Sequence, residues 1–488
     1  MLHRHAQVFV AALAVMLPSP VFSAERPNEE QIEFEAGNGQ TVAAFAGTFS
    51  APENRSNPES RMLELHYVRF PATVERAGPP IIYLAGGPGG SGIRTAKGRR
   101  FPLFMELRAY GDVIAFDQRG TGLSNATPEC VSKTDIPDDV RLPREKVIAL
   151  MRESVAYCET FWRSEGVDPS GYTTSESAKD IDALREHLGA EKVVLWGISY
   201  GTHLALAAVK EMPSRIDKLV MASAEGLDQT VKSPALTDAY FDRLQAAINA
   251  DPAAAAIFPN IKTMMRTVHG QLNTAPQMLS LTMPDGSNEA YLLSGETMQF
   301  LASGMIADPS NAAQLLWLYK AAEMENYGAI AAALSQFVRF GFLTPGAPES
   351  WRVMPLAMDV ASGIGEERLA RIENEAETAL LGDLLNFPMP HLRGVMGLDL
   401  GEKFRVAPSS DAPILLLSGT LDGRTYPESQ RHAFARFSDV SAVTIENAGH
   451  NLFMASPDVA AAIKAFMEGE TGDQTITVAP PNFAQPPM

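Results

Sequence analysis

The stretch Val193-Val194-Leu195-Trp196-Gly197-Ile198-Ser199-Tyr200-Gly201-Thr202 joins a short apolar run of strand character to a helix-like segment, Thr202 to Lys210. A serine on so sharp a strand-to-helix turn projects its hydroxyl above a sheet, and the flanking glycines let strand and helix approach without a Cβ clash. The pattern Gly-x-Ser-x-Gly is weak alone, because a chain with 37 glycines yields roughly 0.2 chance matches at average serine usage. Its position between strand and helix gives it weight, and Ser199 is the candidate nucleophile.

Outward from this turn, Ile81 to Ala85, Val113 to Phe116 and Leu219 to Ala222 are also brief runs, apolar on both faces, and sheet character returns at Ile414 to Leu417 and Ala442 to Ile445. Helical patterns such as Ala178 to Leu188 separate most of them. Strands buried on both faces and alternating with helices predict an α/β fold with a mostly parallel sheet. Upstream, Gln31 to Phe70 alternates in antiparallel fashion. From about Gln229 to Val406 the spacing of Ala, Leu and Met is helical and no buried strand is recognisable. That predicts a core in two parts, 25–228 and 407–470, split by a helical lid over 229–406 and followed by an extended, proline-rich tail at 471–488.

A serine hydroxyl needs an imidazole base, and the imidazole needs an acid to hold its tautomer. Of nine histidines, His450 alone follows a C-terminal strand through a tight turn, in Ala448-Gly449-His450. His203 and His432 fall on helices and read as packing or surface residues. Asp422, in Gly419-Thr420-Leu421-Asp422-Gly423-Arg424, stands just beyond a strand, where a parallel sheet presents its site. An Asp-Gly pair is ordinarily a surface turn, but the order Ser199, Asp422, His450 is that of an α/β-hydrolase triad. Glu225 is the alternative acid. The glycine-rich Gly86-Gly87-Pro88-Gly89-Gly90-Ser91-Gly92 can turn an amide toward an oxyanion, so Gly87 and the amide of Tyr200 are the expected donors. It lacks the Gly-Lys-Ser/Thr ending of a phosphate loop.

The N-terminus combines Arg4, an apolar run from Ala6 to Leu17 and a small-residue stretch to Ala24, which reads as a signal peptide over 1–24 and predicts periplasmic or extracellular export. No later run is long enough to span a bilayer, so no membrane anchor is expected once the leader is removed. With 58 acidic against 40 basic residues the net charge is -18, which repels phosphate backbones and argues against nucleic acid as a partner. Cys130 and Cys158 could pair in an oxidising compartment or remain buried thiols. Without a Cys/His cluster or HExxH, no metal or cofactor is expected.

Taken in order, Gly86 to Gly92, Asp117-Gln118-Arg119-Gly120-Thr121-Gly122, Gly197 to Thr202, Leu417 to Thr425 and Ala448-Gly449-His450 resemble the proline iminopeptidase and tripeptidyl aminopeptidase group of α/β-hydrolase serine peptidases. Cys130 and Cys158 resemble a pair in its secreted tripeptidyl branch, which implies a disulfide. Ala85 departs from the histidine that often precedes the glycine loop. The resemblance implies cleavage near a free peptide amino terminus through an acyl-enzyme, with acidic lid residues anchoring the α-amino group. Glu225, Asp228, Glu323, Glu325 and Asp359 are the candidates for that anchor. Two other readings stay open: a carboxylesterase or amidase using the same triad on small molecules, and a non-catalytic binding protein of the same fold. Oligomeric state is left open.

Overall fold

The computed structural model describes residues 28–125, 127–341 and 343–486. The expected leader, 1–24, lies outside them. Fourteen strands are present among the described residues: β1 (Glu29–Glu35), β2 (Thr41–Pro52), β3 (Met62–Phe70), β4 (Ile81–Leu84), β5 (Val113–Phe116), β6 (Cys130–Val131), β7 (Val193–Ile198), β8 (Ile216–Ala222), β9 (Gln277–Thr282), β10 (Asn288–Leu293), β11 (Ser350–Trp351), β12 (Ile414–Gly419), β13 (Val440–Glu446) and β14 (Gln474–Thr477). Ten of these form one sheet in the order β1-β2-β3-β5-β4-β7-β8-β12-β13-β14. The pairings from β1 to β5 are antiparallel, and those from β5 to β14 are parallel.

The central strands are apolar throughout because both faces are covered. In β7, Val193 and Leu195 join the core on one face, while Val194, Trp196 and Ile198 join the core on the other. Trp196 is fully buried and packs against Tyr83 and Phe104, each with ring centroids 4.7 Å away, and against Phe453 at 5.4 Å. Since β4, β7, β8, β12 and β13 run parallel, their carboxyl ends lie along one edge of the sheet, and the loops there carry Gly87, Ser199, Glu225, Asp422 and His450. Such an edge is where open α/β sheets place their sites.

The segment between β8 and β12 builds a core of its own. Helices Pro234–Asn249, Ile261–Thr274, Gly295–Met305 and Pro309–Glu323 bury Phe241, Met265, Met298 and Tyr319 in it, together with Leu421 and Tyr426 from beyond β12. Two features differ from the purely helical expectation. β9 and β10 form an antiparallel hairpin, each strand with an exposed face, so neither shows the continuous apolar run that marked the central strands. The helix Val353–Ser362 packs into the main core beside Leu204 and Tyr200 rather than into the lid core.

The C-terminus also differs from an extended tail. β14 adds a parallel edge strand beside β13, from Val443↔Gln474 to Glu446↔Thr477. Beyond it Phe483 is 2% exposed and plugs the lid core, and Trp317 Nε1 donates to its carbonyl at 3.2 Å. Only Ile476 of the four strand residues is buried, too little pattern to mark a strand in sequence. Phe483→Ala is therefore expected to lower the unfolding free energy by about 3 kcal/mol, the cost of emptying a buried aromatic site, whereas a solvated tail residue would change it by less than about 0.5 kcal/mol. Urea unfolding followed by tryptophan fluorescence measures the difference.

Candidate active site

Ser199 stands between β7 and the helix Tyr200–Glu211 with φ 54° and ψ -129°. Positive φ is strained for a residue with a Cβ, and the surroundings hold it there. Ser199 N donates to the Ala222 carbonyl at 3.1 Å, and the Ser199 carbonyl accepts from Thr202 N at 2.8 Å and Thr202 Oγ1 at 2.7 Å. A Cβ at Gly201 would collide with the Leu84 carbonyl, and one at Gly197 would lie 2.8 Å from the Gly201 carbonyl oxygen. Both glycines of the motif are thus demanded by contact.

Asp422 follows β12 and is fully buried. Its Oδ1 accepts from Arg424 N at 2.8 Å and Thr425 N at 2.9 Å, and its Oδ2 from Thr425 Oγ1 at 2.7 Å. His450 Nδ1 lies 2.9 Å from Oδ2 and 3.1 Å from Oδ1. Burial alone would raise this carboxyl, but the facing imidazole and the Thr425 donors hold it below its ordinary value. The pair is joined to the nucleophile turn through Ala222 and Ser223: Ala222 accepts from Ser199 N, while Ser223 Oγ donates to the His450 carbonyl at 2.7 Å. His203, by contrast, is buried, with Nδ1 3.0 Å from the Gly226 carbonyl and Nε2 3.2 Å from Ser362 Oγ. His432 is exposed on its helix.

Gly423 and Gly449, which flank these two residues, are occupied by the lid. Gly423 N donates to the Ile306 carbonyl at 3.2 Å and His450 N to the Ala307 carbonyl at 2.8 Å. A Cβ on Gly449 would lie 2.6 Å from the Ala307 carbonyl oxygen, and one on Gly423 would strike Ile306. The Asp-Gly pair is therefore a docking point for the 306–309 segment rather than a solvent turn.

Gly86 sits against the nucleophile, since a Cβ there would lie 3.1 Å from Ser199 Cβ. Gly87, at φ 127°, begins the loop that leads to Ser91. Tyr200 opens a helix, where the first amides have no helical carbonyl to reach. The Asp-Gln-Arg-Gly element, a family marker in sequence, is the scaffold of this loop. Asp117 Oδ1 accepts from Ser91 Oγ at 2.6 Å and Ile93 N at 3.0 Å, and Gln118 Nε2 donates to the Ala85 carbonyl at 3.0 Å. Arg119 is buried against Asp180, Nε to Oδ2 at 2.6 Å.

A cavity of about 350 Å³ opens beside the loop at Gly87 and Pro88, at the small end of ligand-binding pockets. Ser199 and His450 lie beyond its lining, which takes in Glu225 and Asp359 among the expected anchors. Glu225 is held by the Lys232 ammonium, which also donates to the Gln229 carbonyl at 2.7 Å. Burial works against ionisation of Glu225, yet Lys232 keeps it below its usual range. Asp359 makes no side-chain hydrogen bond or ion pair among the described residues. It is recessed in the cavity wall, and burial, then the Glu225 charge, pushes it up to about 7 against the opposing charges of Lys232 and Arg424. The other acids are elsewhere: Glu323 pairs with Lys320 at 2.8 Å on the lid surface, Glu325 is exposed, and Asp228 faces Arg368 at 3.8 Å. Glu323 and Glu325 therefore lie outside the cavity lining. Helical spacing cannot reveal which lid face meets the sheet edge.

The cavity walls hang from one helix, Arg144–Ser164. Its Ser154 Oγ accepts from Trp351 Nε1 at 2.7 Å, and its Cys158 is disulfide-bonded to Cys130 of β6, which pairs with β11. Its Arg144 binds Asp383 and also Glu296 Oε1 at 2.9 Å, with the guanidinium 4.8 Å from the Phe387 ring centroid. Arg144 and His391, 2.8 Å away, hold Asp383 down at about 2 despite burial. Trp351 and Phe387 both line the cavity.

A model of the α/β-hydrolase fold matches residues 79–290. The protein has the α/β-hydrolase fold. Among curated proteins this chain is 31% identical over 208 residues to serine protease Hip1 of Mycobacterium tuberculosis, covering 41% of this chain and 38% of that one. It is 30% identical over 189 residues to tripeptidyl aminopeptidase of Streptomyces coelicolor, covering 36% and 34%. It is 28% identical over 175 residues to proline iminopeptidase of Arabidopsis thaliana, again covering 36% and 34%. The matches span about a third to two-fifths of these relatives. The hydrolase resembles the proline iminopeptidase and tripeptidyl aminopeptidase group, as its motifs indicated.

Because the disulfide closes a sequence separation of 28 residues, loss of it in Cys130→Ser with Cys158→Ser is expected to cost about 3 to 4 kcal/mol on the chain-entropy model. Since β6 carries β11 and Trp351, KM is expected to rise more than kcat falls. Steady-state kinetics of the double variant beside its unfolding curve tests both effects.

Proposed function

We propose that this hydrolase is an exported serine aminopeptidase that releases one or a few residues from a peptide's free amino terminus. Its peptidase-named relatives support the peptidase class, and the cavity supports the amino-terminal specificity. The observation that carries the latter is Asp359, a recessed carboxyl that no protein group among the described residues hydrogen-bonds, lining a small cavity that opens at the Gly87 loop. A recessed carboxyl held near 7 ionises more readily when a further cation answers it, and a peptide's α-ammonium is such a cation. Export is supported by the leader pattern and by the disulfide, which persists in oxidising compartments. Among the described residues no helix is long and apolar enough to cross a membrane.

In this reading Ser199 Oγ attacks the scissile carbonyl while His450 takes its proton. Asp422, hydrogen-bonded to His450 Nδ1, fixes the tautomer that leaves Nε2 free as base and stabilises the imidazolium. The amides of Tyr200 and Gly87 receive the oxyanion. The imidazolium returns its proton to the leaving amine, and water, activated by the same imidazole, hydrolyses the acyl-enzyme. Ser199→Ala is expected to reduce turnover by at least roughly 10,000-fold and to abolish labelling by a fluorophosphonate; labelling retained at another serine identifies a different nucleophile.

Free and N-acetylated peptide anilides, compared with short aryl esters, separate this function from an esterase. The free peptides are expected to lead, and indifference to acetylation together with strong ester turnover overturns the aminopeptidase reading. The pH dependence carries a further signature. Asp359 is neutral below about 7 and binds an ammonium better as pH rises through that value, until the peptide amine deprotonates near about 8. KM should therefore rise on the acid side, and Asp359→Asn should remove that limb while raising KM about 10- to 100-fold at pH 7.5. The sign for folding is opposite. A carboxyl raised above its unfolded value favours the folded state at low pH, and that contribution is lost as pH rises through about 7. Asp359→Asn should thus melt higher than the parent protein at pH 8.

A further inference from the structure

We propose that the cavity recognises a carboxylate together with an amine, so that the peptides it takes best begin with aspartate or glutamate. This inference rests on the aminopeptidase reading and deepens it. Three cations line the cavity: Lys232, Arg352 and Arg424. Lys232 is committed to Glu225 and the Gln229 carbonyl. Arg352 and Arg424 form no ion pair or hydrogen bond with a carboxylate among the described residues, though the Arg424 charge acts through space on Asp359 and Glu225. Arg424 Nη1 makes a single long hydrogen bond, 3.4 Å, to the Ser303 carbonyl. Its backbone is pinned by Asp422, which accepts Arg424 N at 2.8 Å, so the guanidinium is carried by the same turn that sets the acid behind His450. Arg352 lies over the glycine loop, with Nη2 3.1 Å from where a Gly89 Cβ would stand.

The cavity thus presents Asp359, which no protein group among the described residues hydrogen-bonds, and guanidinium groups that form no ion pair with it, although the Arg424 charge favours its ionisation. A ligand with a single positive charge answers only the first. An amino-terminal aspartate or glutamate carries an ammonium and a carboxylate a few bonds apart, and so answers both. The guanidinium fork favours a carboxylate over a neutral amide because it can donate two parallel, charge-assisted hydrogen bonds. A neutral first residue leaves Arg424 with its weak carbonyl contact and water. The apolar wall of Trp351, Leu385 and Phe387 remains for the residue that follows.

The test uses the mature protein and peptide anilides identical except for the first residue: Asp, Asn, Glu, Gln or Leu, each free and N-acetylated. For the free series, kcat/KM is expected to favour Asp over Asn and Glu over Gln by about 10-fold or more. Arg424→Gln should bring those ratios close to one, and Arg424→Lys should keep part of the preference, with unfolding midpoints confirming that both variants are folded. Equal or better cleavage of the Asn, Gln and Leu peptides overturns the proposal, as does a ratio unchanged in Arg424→Gln. Cleavage of acetylated and free peptides alike overturns the aminopeptidase reading instead, and no turnover of any peptide overturns both.

Discussion

The approach of the helix Tyr200–Glu211 to the sheet is the constraint on which the site depends. Gly201 lies against the carbonyl of Leu84 and Gly197 against the carbonyl of Gly201, so the chain can turn from β7 into the helix within one residue. That residue, Ser199, then takes a positive φ. The strain persists because the Ala222 carbonyl and the Thr202 donors hold both sides of the turn, and because Trp196 anchors β7 in an aromatic cluster just before it. A looser core would let the turn relax and lower the hydroxyl toward the sheet.

Two supports extend this arrangement outward. The Asp117 carboxylate and the Gln118 amide bind the glycine loop from behind, which keeps Gly87 beside the nucleophile turn. The lid segment 306–309 hydrogen-bonds to the Asp422 and His450 loops, so the lid is docked on the catalytic loops instead of only covering them. The helix Arg144–Ser164 then gathers the far walls of the cavity by a disulfide, a tryptophan hydrogen bond and an arginine clamp. The Ser199, Asp422 and His450 loops and the cavity are therefore held by different parts of the fold, joined at Gly423, Gly449 and β11.

Charge at the cavity follows from the same separation. Asp422 is surrounded by donors and stays ionised, while Asp359 faces open space with Glu225 nearby and is raised toward neutrality. Two aspartates of one chain thus acquire opposite shifts from their neighbours, one lowered by the imidazole and donors that face it and the other raised by burial and a nearby carboxylate.

Much of this was legible in the sequence, for definite reasons. Uninterrupted apolar runs such as Val193 to Trp196 can only be strands covered on both faces, and the order of Ser199, Asp422 and His450 needed no spatial information. The half-exposed hairpin β9–β10 and the edge strand β14 were not legible, because a strand with one solvated face and few buried residues lacks a distinctive pattern. Nor could sequence separate Asp359 from Glu323 and Glu325, since all sit in helical or turn segments of similar composition. Only the packing of Val353–Ser362 into the main core turns Asp359 inward, while Glu323 pairs with Lys320 on the surface. The placement of Arg424 and Arg352 in the cavity wall is not legible for the same reason: a lone arginine carries no local signature, and its neighbours are set by long-range packing. Local periodicity and chain order determine where Ser199, Asp422 and His450 stand along the sheet edge, whereas long-range packing decides which charged groups line the cavity and which are paired at the surface.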